Sequence, residues 1–269
     1  MFEHAADQSA LLRSEAPLTT EYTPTAPVQR TDELDRIAAA VRPLVHRDQP
    51  ENLLLYGPAG TGKSLLVDHV LTNLAEETRV ATVHVNCWQY NTRSSLLTEL
   101  LVQLGYPAPR KGKPVDALLA RLREWVDKHP GVLVALDEFD QLTDQAAVAY
   151  DLHETGAATD TPVGVLLVSN HDPRSLELDP RSHSRLAYRP LELRPYSKQD
   201  LIEILHQRVE QAFHQDIVTA EAVERIAGAV ATQNGDCREA LTLLRRAARQ
   251  AEQENVDAIA VSHVDQHLP

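Results

Sequence analysis

The sequence predicts an α/β fold, a doubly wound parallel sheet followed by a small all-α second domain. Three observations carry that prediction. Short apolar runs alternate with segments of helical period from residue 31 onward. Two of the runs, Val132–Leu136 and Val163–Ser169, are almost continuously apolar, as strands buried on both faces of a helix-covered parallel sheet must be. After Pro195 the strand signals stop and helical patterns take over, which places a boundary near residues 194–196. A chain of 269 residues, 43% hydrophobic and 24% charged, has the material for a packed core and is neither disordered nor low in complexity.

Taken in order, residues 1–30 are rich in Pro, Thr, Ala and acidic residues without a sustained period, and read as an arm with little structure of its own. Leu34, Ile37, Ala38, Val41, Leu44 and Val45 then recur at spacings of three and four, with Thr31 as the expected N-cap. Asn52–Tyr56 is a short apolar run that stops at a glycine-rich turn. The helix after it, from Gly62 to about Glu77, collects Leu66, Val67, Val70, Leu71 and Leu74 on one face. A strand at 80–86, helices at about 92–104 and 115–129, strands at 132–136 and 163–169 with a helix between them, and a closing strand near 189–193 complete a domain over 31–195. Helical patterns at about 197–211, 219–232 and 237–253, with a short one from Ser262, make up the second domain, 196–269. No internal repeat interrupts this order.

Charge narrows the function classes. The formal net charge is -13, and only five of the basic residues are lysines, Lys63, Lys111, Lys113, Lys128 and Lys198. Such a field repels nucleic acid at low salt. An acidic, lysine-poor surface also keeps a protein hydrated in concentrated salt, where a Debye length of about 3 Å at 1 M hides net charge from partners. The charge therefore reads as a halophilic signature and not as a veto on DNA. Cys87 and Cys237 have no Cys or paired His at ligand spacing beside them, so reduced, buried thiols are expected, without a zinc cluster or a disulfide framework. No apolar run is long enough to span a bilayer and the N-terminus lacks a signal-peptide pattern, so a cytoplasmic protein without a membrane partner is expected.

The most specific motif is Gly57-Pro58-Ala59-Gly60-Thr61-Gly62-Lys63-Ser64. It matches G-x-x-x-x-G-K-[ST], the Walker A or P-loop pattern, and lies between an apolar strand and an amphipathic helix as that pattern requires. Its glycines let successive N–H groups face phosphate oxygens at a helix N-terminus, Lys63 neutralises β- and γ-phosphate charge, and the Ser64 hydroxyl ligates Mg²⁺. The run from Val132 ends in Asp137-Glu138. Asp137 can hold the same Mg²⁺, and Glu138 can polarise a water in line with the γ-phosphate. Asn170, at the end of the next apolar run, can donate to that phosphate or orient the water. Arg238, after the Gly235-Asp236 turn at the start of a helix in the second domain, is the arginine that can reach back to a nucleotide.

The order of these parts resembles the AAA+ ATPases. Several stretches are similar, within that superfamily, to the archaeal origin-recognition and cell-division-control-type (Orc/Cdc) replication initiators. They are Glu21-Tyr22-Thr23-Pro24 with Gln29-Arg30-Thr31-Asp32-Glu33-Leu34, Asn52–Gly57, Val85-Asn86-Cys87 with Thr92, Leu136-Asp137-Glu138-Phe139-Asp140, Leu178-Asp179-Pro180-Arg181 and Gly235-Asp236-Cys237-Arg238. The resemblance implies that Asn170 is sensor 1 and Arg238 sensor 2. It makes Arg185 the finger offered to a neighbouring subunit's ATP, with Arg181 as its competitor, and a monomer is then expected to hydrolyse ATP slowly. It also implies a DNA-touching helical insertion between the second and third strands, where Arg110, Lys111 and Lys113 form a basic cluster.

Family members usually continue into a winged-helix DNA-binding domain, which the chain is expected to lack after Pro269. The function expected is an ATP-switched factor in replication initiation. Its expected partners are ATP and ADP, double-stranded DNA, other initiator subunits or the replicative helicase, in the cytoplasm beside the nucleoid. The alternatives are a nucleotide-binding regulatory paralogue with negligible hydrolysis that acts by protein contact, or an ATPase of the clamp-loader or transposition-helper kind.

Overall fold

The computed structural model describes residues 11–20, 22–24, 26–107, 112–178 and 184–268. Two compact units emerge: a sheet unit of Arg30–Pro58 with Lys63–Leu193, and a helical unit of Met1–Gln29, Ala59–Gly62 and Arg194–Pro269.

In the sheet unit, β1 (Leu53–Tyr56), β2 (Ala81–Asn86), β3 (Val132–Asp137), β4 (Val163–Ser169) and β5 (Arg189–Glu192) form one sheet in the order β2-β3-β4-β1-β5. Every pairing is parallel. β3 and β4 are buried along their whole length because both sheet faces are covered, which is why they read as unbroken apolar runs. One face packs under α1 (Thr31–Val41) and α2 (Lys63–Glu77) through Ile37, Leu66 and Leu71 against Leu55, Ala135 and Val168. The other packs under α3 (Arg93–Gln103), α4 (Val115–Val126) and α5 (Gln145–Ala157) through Leu96, Leu118 and Val148 against Val85, Leu136 and Leu167. Because all strands run the same way, β1, β3 and β4 deliver their C-terminal ends to one edge, where such sheets place ligands.

Local chemistry sets the helix limits. The N-cap of α1 is Arg30 and not Thr31: Thr31 is the first helical residue, and Arg30 pairs with Glu33 at 2.9 Å. Pro43 follows, and the chain tightens into a 3₁₀ turn over Arg42–His46. α3 begins on a reciprocal capping box between Thr92 and Ser95.

The helical unit holds α6 (Lys198–Ala212), α7 (Ala220–Gln233), α8 (Cys237–Glu254) and the short α9 (Val261–Asp265). Ser197, Thr219 and Asp236 cap the first three with side-chain oxygens. Leu201, Leu205, Ile226, Val230 and Leu244 fill the centre. The arm is more structured than its composition suggests. Leu11 and Leu18 are buried in this same core, Arg13 N–H donates to the Ala212 carbonyl at 2.8 Å, and His214 N–H donates to that of Leu11 at 3.1 Å. Two leucines in a polar stretch have no period to announce them, yet they dock by burying area. Of the cysteines, Cys87 is buried and Cys237 half-buried. Among the described residues, no helix is long and apolar enough to cross a membrane.

Candidate functional site

The phosphate-loop sequence leaves β1 at Gly57 and enters α2 at Lys63. Gly57 has φ +146°, and a Cβ there would stand 2.1 Å from the Leu193 carbonyl oxygen, so only glycine fits. Lys63 is buried, and its ammonium donates to the carbonyls of Gly57 and Pro58 at 2.7 Å each. Ser64 is half-buried in the first turn of α2.

Residues Ala59–Gly62 belong to the helical unit. There Cys237 N–H, at the start of α8, donates to the Gly60 carbonyl at 3.2 Å. A Cβ on Gly60, at φ +73°, would stand 1.7 Å from the Asp236 carboxylate. That carboxylate accepts from Arg238 N–H at 2.8 Å and caps the helix. Arg238, exposed, lies in the first turn of that helix, whose N-cap Asp236 stands beside Gly60. Arg245 and Arg249, on the same helix, both turn to Glu15 of the arm, at 4.0 Å and 2.6 Å.

β3 ends in Asp137, buried, whose carboxylate accepts the N–H of Glu138 at 2.8 Å. Glu138 is left-handed, φ +53° and ψ +43°, a cost of order 1 kcal/mol or more for a residue with a Cβ. Such strain at a strand exit aims a side chain that a regular strand would point elsewhere. Asn170 is exposed at the end of β4, next to β3 in the sheet, and its N–H donates to Asp140 Oδ1 at 3.1 Å. Burial pushes the Asp140 carboxyl up, but hydrogen bonds from Gln141, Ser169 and the backbone of Asn170 outweigh it and hold the group below its ordinary value. The sequence reading gave Asp140 no role, although it stands three positions after Asp137.

Two further groups, His84 and Arg208, escaped it. His84 on β2 has Nδ1 2.8 Å from Asp68 and Nε2 4.0 Å from Asp137. Burial lowers its pKa, and Asp68 and Asp137 more than reverse this, leaving it raised. Arg208 occupies the apolar stripe of α6, buried, its guanidinium 4.8 Å from the Tyr22 ring centre and its Nε and Nη1 without hydrogen-bond partners. Burial pushes its pKa down. Cys87 lies beside the acidic strand end, and burial followed by Asp137, Asp140 and Glu138 pushes its thiol far up, which makes it a poor nucleophile.

The remaining arginines and lysines divide. Arg185 is exposed, 3.4 Å from Glu154 and 4.7 Å from the Tyr150 ring centre, both on α5. Lys113 is half-buried, and its ammonium donates to the Tyr106 hydroxyl at 2.5 Å. Arg110, Lys111 and Arg181 lie outside the described residues.

Nucleotide and Mg²⁺ can be tested against these residues. The loop keeps glycine where a Cβ would collide, and it carries a buried ammonium that donates to two main-chain carbonyls. The Ser64 hydroxyl and the Asp137 carboxylate are hard oxygen donors of the kind Mg²⁺ takes. Among the described residues no group of three His, Cys, Asp or Glu side chains forms a cage for a metal.

Comparison with known proteins agrees with the order of parts. A family model described as an AAA domain matches residues 46–177, and one described as a Cdc6 AAA+ ATPase-type lid domain matches residues 202–267. ORC1-type DNA replication protein 10 of Halobacterium salinarum is 29% identical over 261 residues, covering 92% of this chain and 63% of the relative. ORC1-type DNA replication protein 1 of Methanosarcina mazei is 29% identical over 98% of this chain and 66% of its own length. The chain thus spans less than two thirds of either relative. The Aeropyrum pernix ORC1 protein, solved in complex with DNA, superposes with a TM-score of 0.86 at 27% identity, covering 96% of this chain and 69% of that one. Cdc6p from Pyrobaculum aerophilum shares the fold, with a TM-score of 0.85 at 20% identity over 96% of this chain and 72% of its own.

Proposed function

Because the chain belongs to the AAA+ ATPases of the ORC1/Cdc6 type, we propose that it binds ATP with Mg²⁺ and hydrolyses it, acting as a nucleotide-switched factor in DNA replication initiation. The observation that carries this reading is the buried Lys63 ammonium on the carbonyls of a glycine loop at the end of β1, with Asp137-Glu138 ending β3 in the same parallel sheet. On binding, Lys63 exchanges those carbonyls for β- and γ-phosphate oxygens, and loop N–H groups at the start of α2 hold the rest. Ser64 and Asp137 are the residues that would hold Mg²⁺, which would supply Lewis-acid neutralisation of phosphate charge. Glu138 takes the proton of the attacking water and Asn170 orients it. Arg238 senses the nucleotide from α8, and Arg185 is the finger offered to a neighbouring copy.

DNA is the proposed macromolecular partner, supported by the A. pernix relative solved with DNA and by the basic run Arg110-Lys111-Gly112-Lys113. The acidic surface makes binding at molar salt, beside the nucleoid in a halophilic cytoplasm, the relevant condition. ATP binding followed by filter retention tests the first part. Lys63→Ala should weaken it at least about a hundredfold, the loss of several charge-assisted hydrogen bonds. Glu138→Gln should keep binding and slow turnover by about 10² or more. Wild-type protein that retains no ATP, or a Lys63→Ala variant that binds as well, overturns the reading. DNA retention with ATP at molar KCl, reduced by Lys111→Ala/Lys113→Ala, is expected for the second part, and its absence overturns that part alone.

A further inference from the structure

Asp68, His84 and Asp137 stand in line on the sheet face that α2 covers. His84 is on the edge strand β2, where the register pairs it with Ala135, two residues before Asp137. Its peptide is pinned from outside the sheet: its N–H donates to Gln103 Oε1 at 2.9 Å, and its carbonyl accepts from Gln103 Nε2 at 2.8 Å. Its ring is pinned from α2, with Nδ1 2.8 Å from Asp68. Asp68 is one turn after Ser64, so the two share a face of α2. What remains is Nε2, a buried nitrogen without a hydrogen-bond partner, aimed at Asp137 Oδ2 across 4.0 Å.

That span is too long for a hydrogen bond and suits one water between two polar atoms. A buried polar atom left unmet costs about 1–3 kcal/mol, so an arrangement that holds one at this spot calls for an occupant. We propose that Asp68 and His84 are positioning residues which fix the Asp137 carboxylate through a water between His84 Nε2 and Asp137 Oδ2, and so set the affinity of the nucleotide site for a divalent cation. The water donates to Asp137 whether the ring accepts from it or donates to it, so the device does not depend on the protonation of His84. Partners of this kind around a metal ligand typically change metal affinity by about 10- to 100-fold. The inference rests on the reading of Asp137 as a cation ligand.

The test uses the full chain with Mn²⁺ as the probe. Free Mn²⁺ is followed by its electron paramagnetic resonance signal, with ATP limiting and protein in excess, and ATP affinity is measured separately in EDTA. His84→Ala should weaken Mn²⁺ binding about tenfold and leave ATP affinity in EDTA within about twofold. Asp68→Asn should shift Mn²⁺ binding in the same direction by less, and His84→Gln, whose amide reaches toward the Nε2 position, should restore most of the loss. Wild-type Mn²⁺ affinity in His84→Ala overturns the inference, as does an equal loss of ATP affinity in EDTA, which marks a merely structural residue. If His84→Ala does not fold, Asp68→Asn on the half-exposed face of α2 decides by the same two readouts. Asp137→Asn separates the layers. Lost Mn²⁺ binding there beside an unchanged His84→Ala overturns only this inference, whereas unchanged Mn²⁺ binding in Asp137→Asn overturns the reading beneath it as well.

Discussion

Asp140 spends one carboxylate oxygen on Asn170 N–H and the other on the Gln141 amide at 2.7 Å, so a single side chain ties the exit of β3 to the exit of β4. Replacing it with Asn leaves a neutral acceptor where the backbone of Asn170 needs an anion. The expected cost is about 1–3 kcal/mol at pH 7, read by urea unfolding. The sign with pH follows from the depressed carboxyl. Its contribution is complete above the unfolded value of about 3.9 and is lost as pH falls through the lower folded value. The gap between wild type and Asp140→Asn should therefore close below about pH 4. His171, exposed, places Nε2 3.8 Å from the same carboxylate. Arg208 makes the opposite case, a buried guanidinium with two unpartnered nitrogens. Arg208→Met keeps the stem and removes the charge, so the nucleotide-free protein should gain about 1 kcal/mol in chemical denaturation.

At the scale of elements, the arm behaves as part of the helical unit. Leu18→Ala should cost about 2–5 kcal/mol and raise amide exchange in α6 and α8, since Leu18 is fully enclosed among their side chains. Unchanged exchange there would show that the arm only rests on the surface. The arm also marks where sequence reading stops. β3 and β4 were legible as unbroken apolar runs, and α2 and α8 because each carries its own helical period. The glycine loop and the acidic strand end were legible because their chemistry is contiguous in sequence. Leu11, Leu18 and Arg208 were not, because what defines them is a neighbour far along the chain. The same holds for the Asp68–His84 pair, 16 positions apart on different elements. Asp140 was visible as a letter in Asp137-Glu138-Phe139-Asp140, yet its partner, a backbone N–H at residue 170, is set only by the adjacency of β3 and β4.

For the whole molecule, a charge of -13 is a folding condition. Self-repulsion of that size opposes compaction at low ionic strength and fades as the screening length falls from about 10 Å at 0.1 M to about 3 Å at 1 M. Thermal unfolding followed by circular dichroism should show the midpoint rising between about 0.1 M and 2 M KCl, and a flat or falling midpoint would argue against a salt-adapted surface.

The hydrogen bond from Cys237 N–H to the Gly60 carbonyl has a thermodynamic corollary. The glycine loop, proposed to cradle phosphates, and the first turn of α8 are not independent variables, so a ligand that reshapes the one must do work on the other. Linkage is symmetric: by whatever factor nucleotide steadies the start of α8, a change that steadies α8 tightens nucleotide. Substitutions far down that helix, with no atom near a phosphate, then become legitimate handles on affinity. The two numbers, a shift in binding and a shift in helix protection, have to agree.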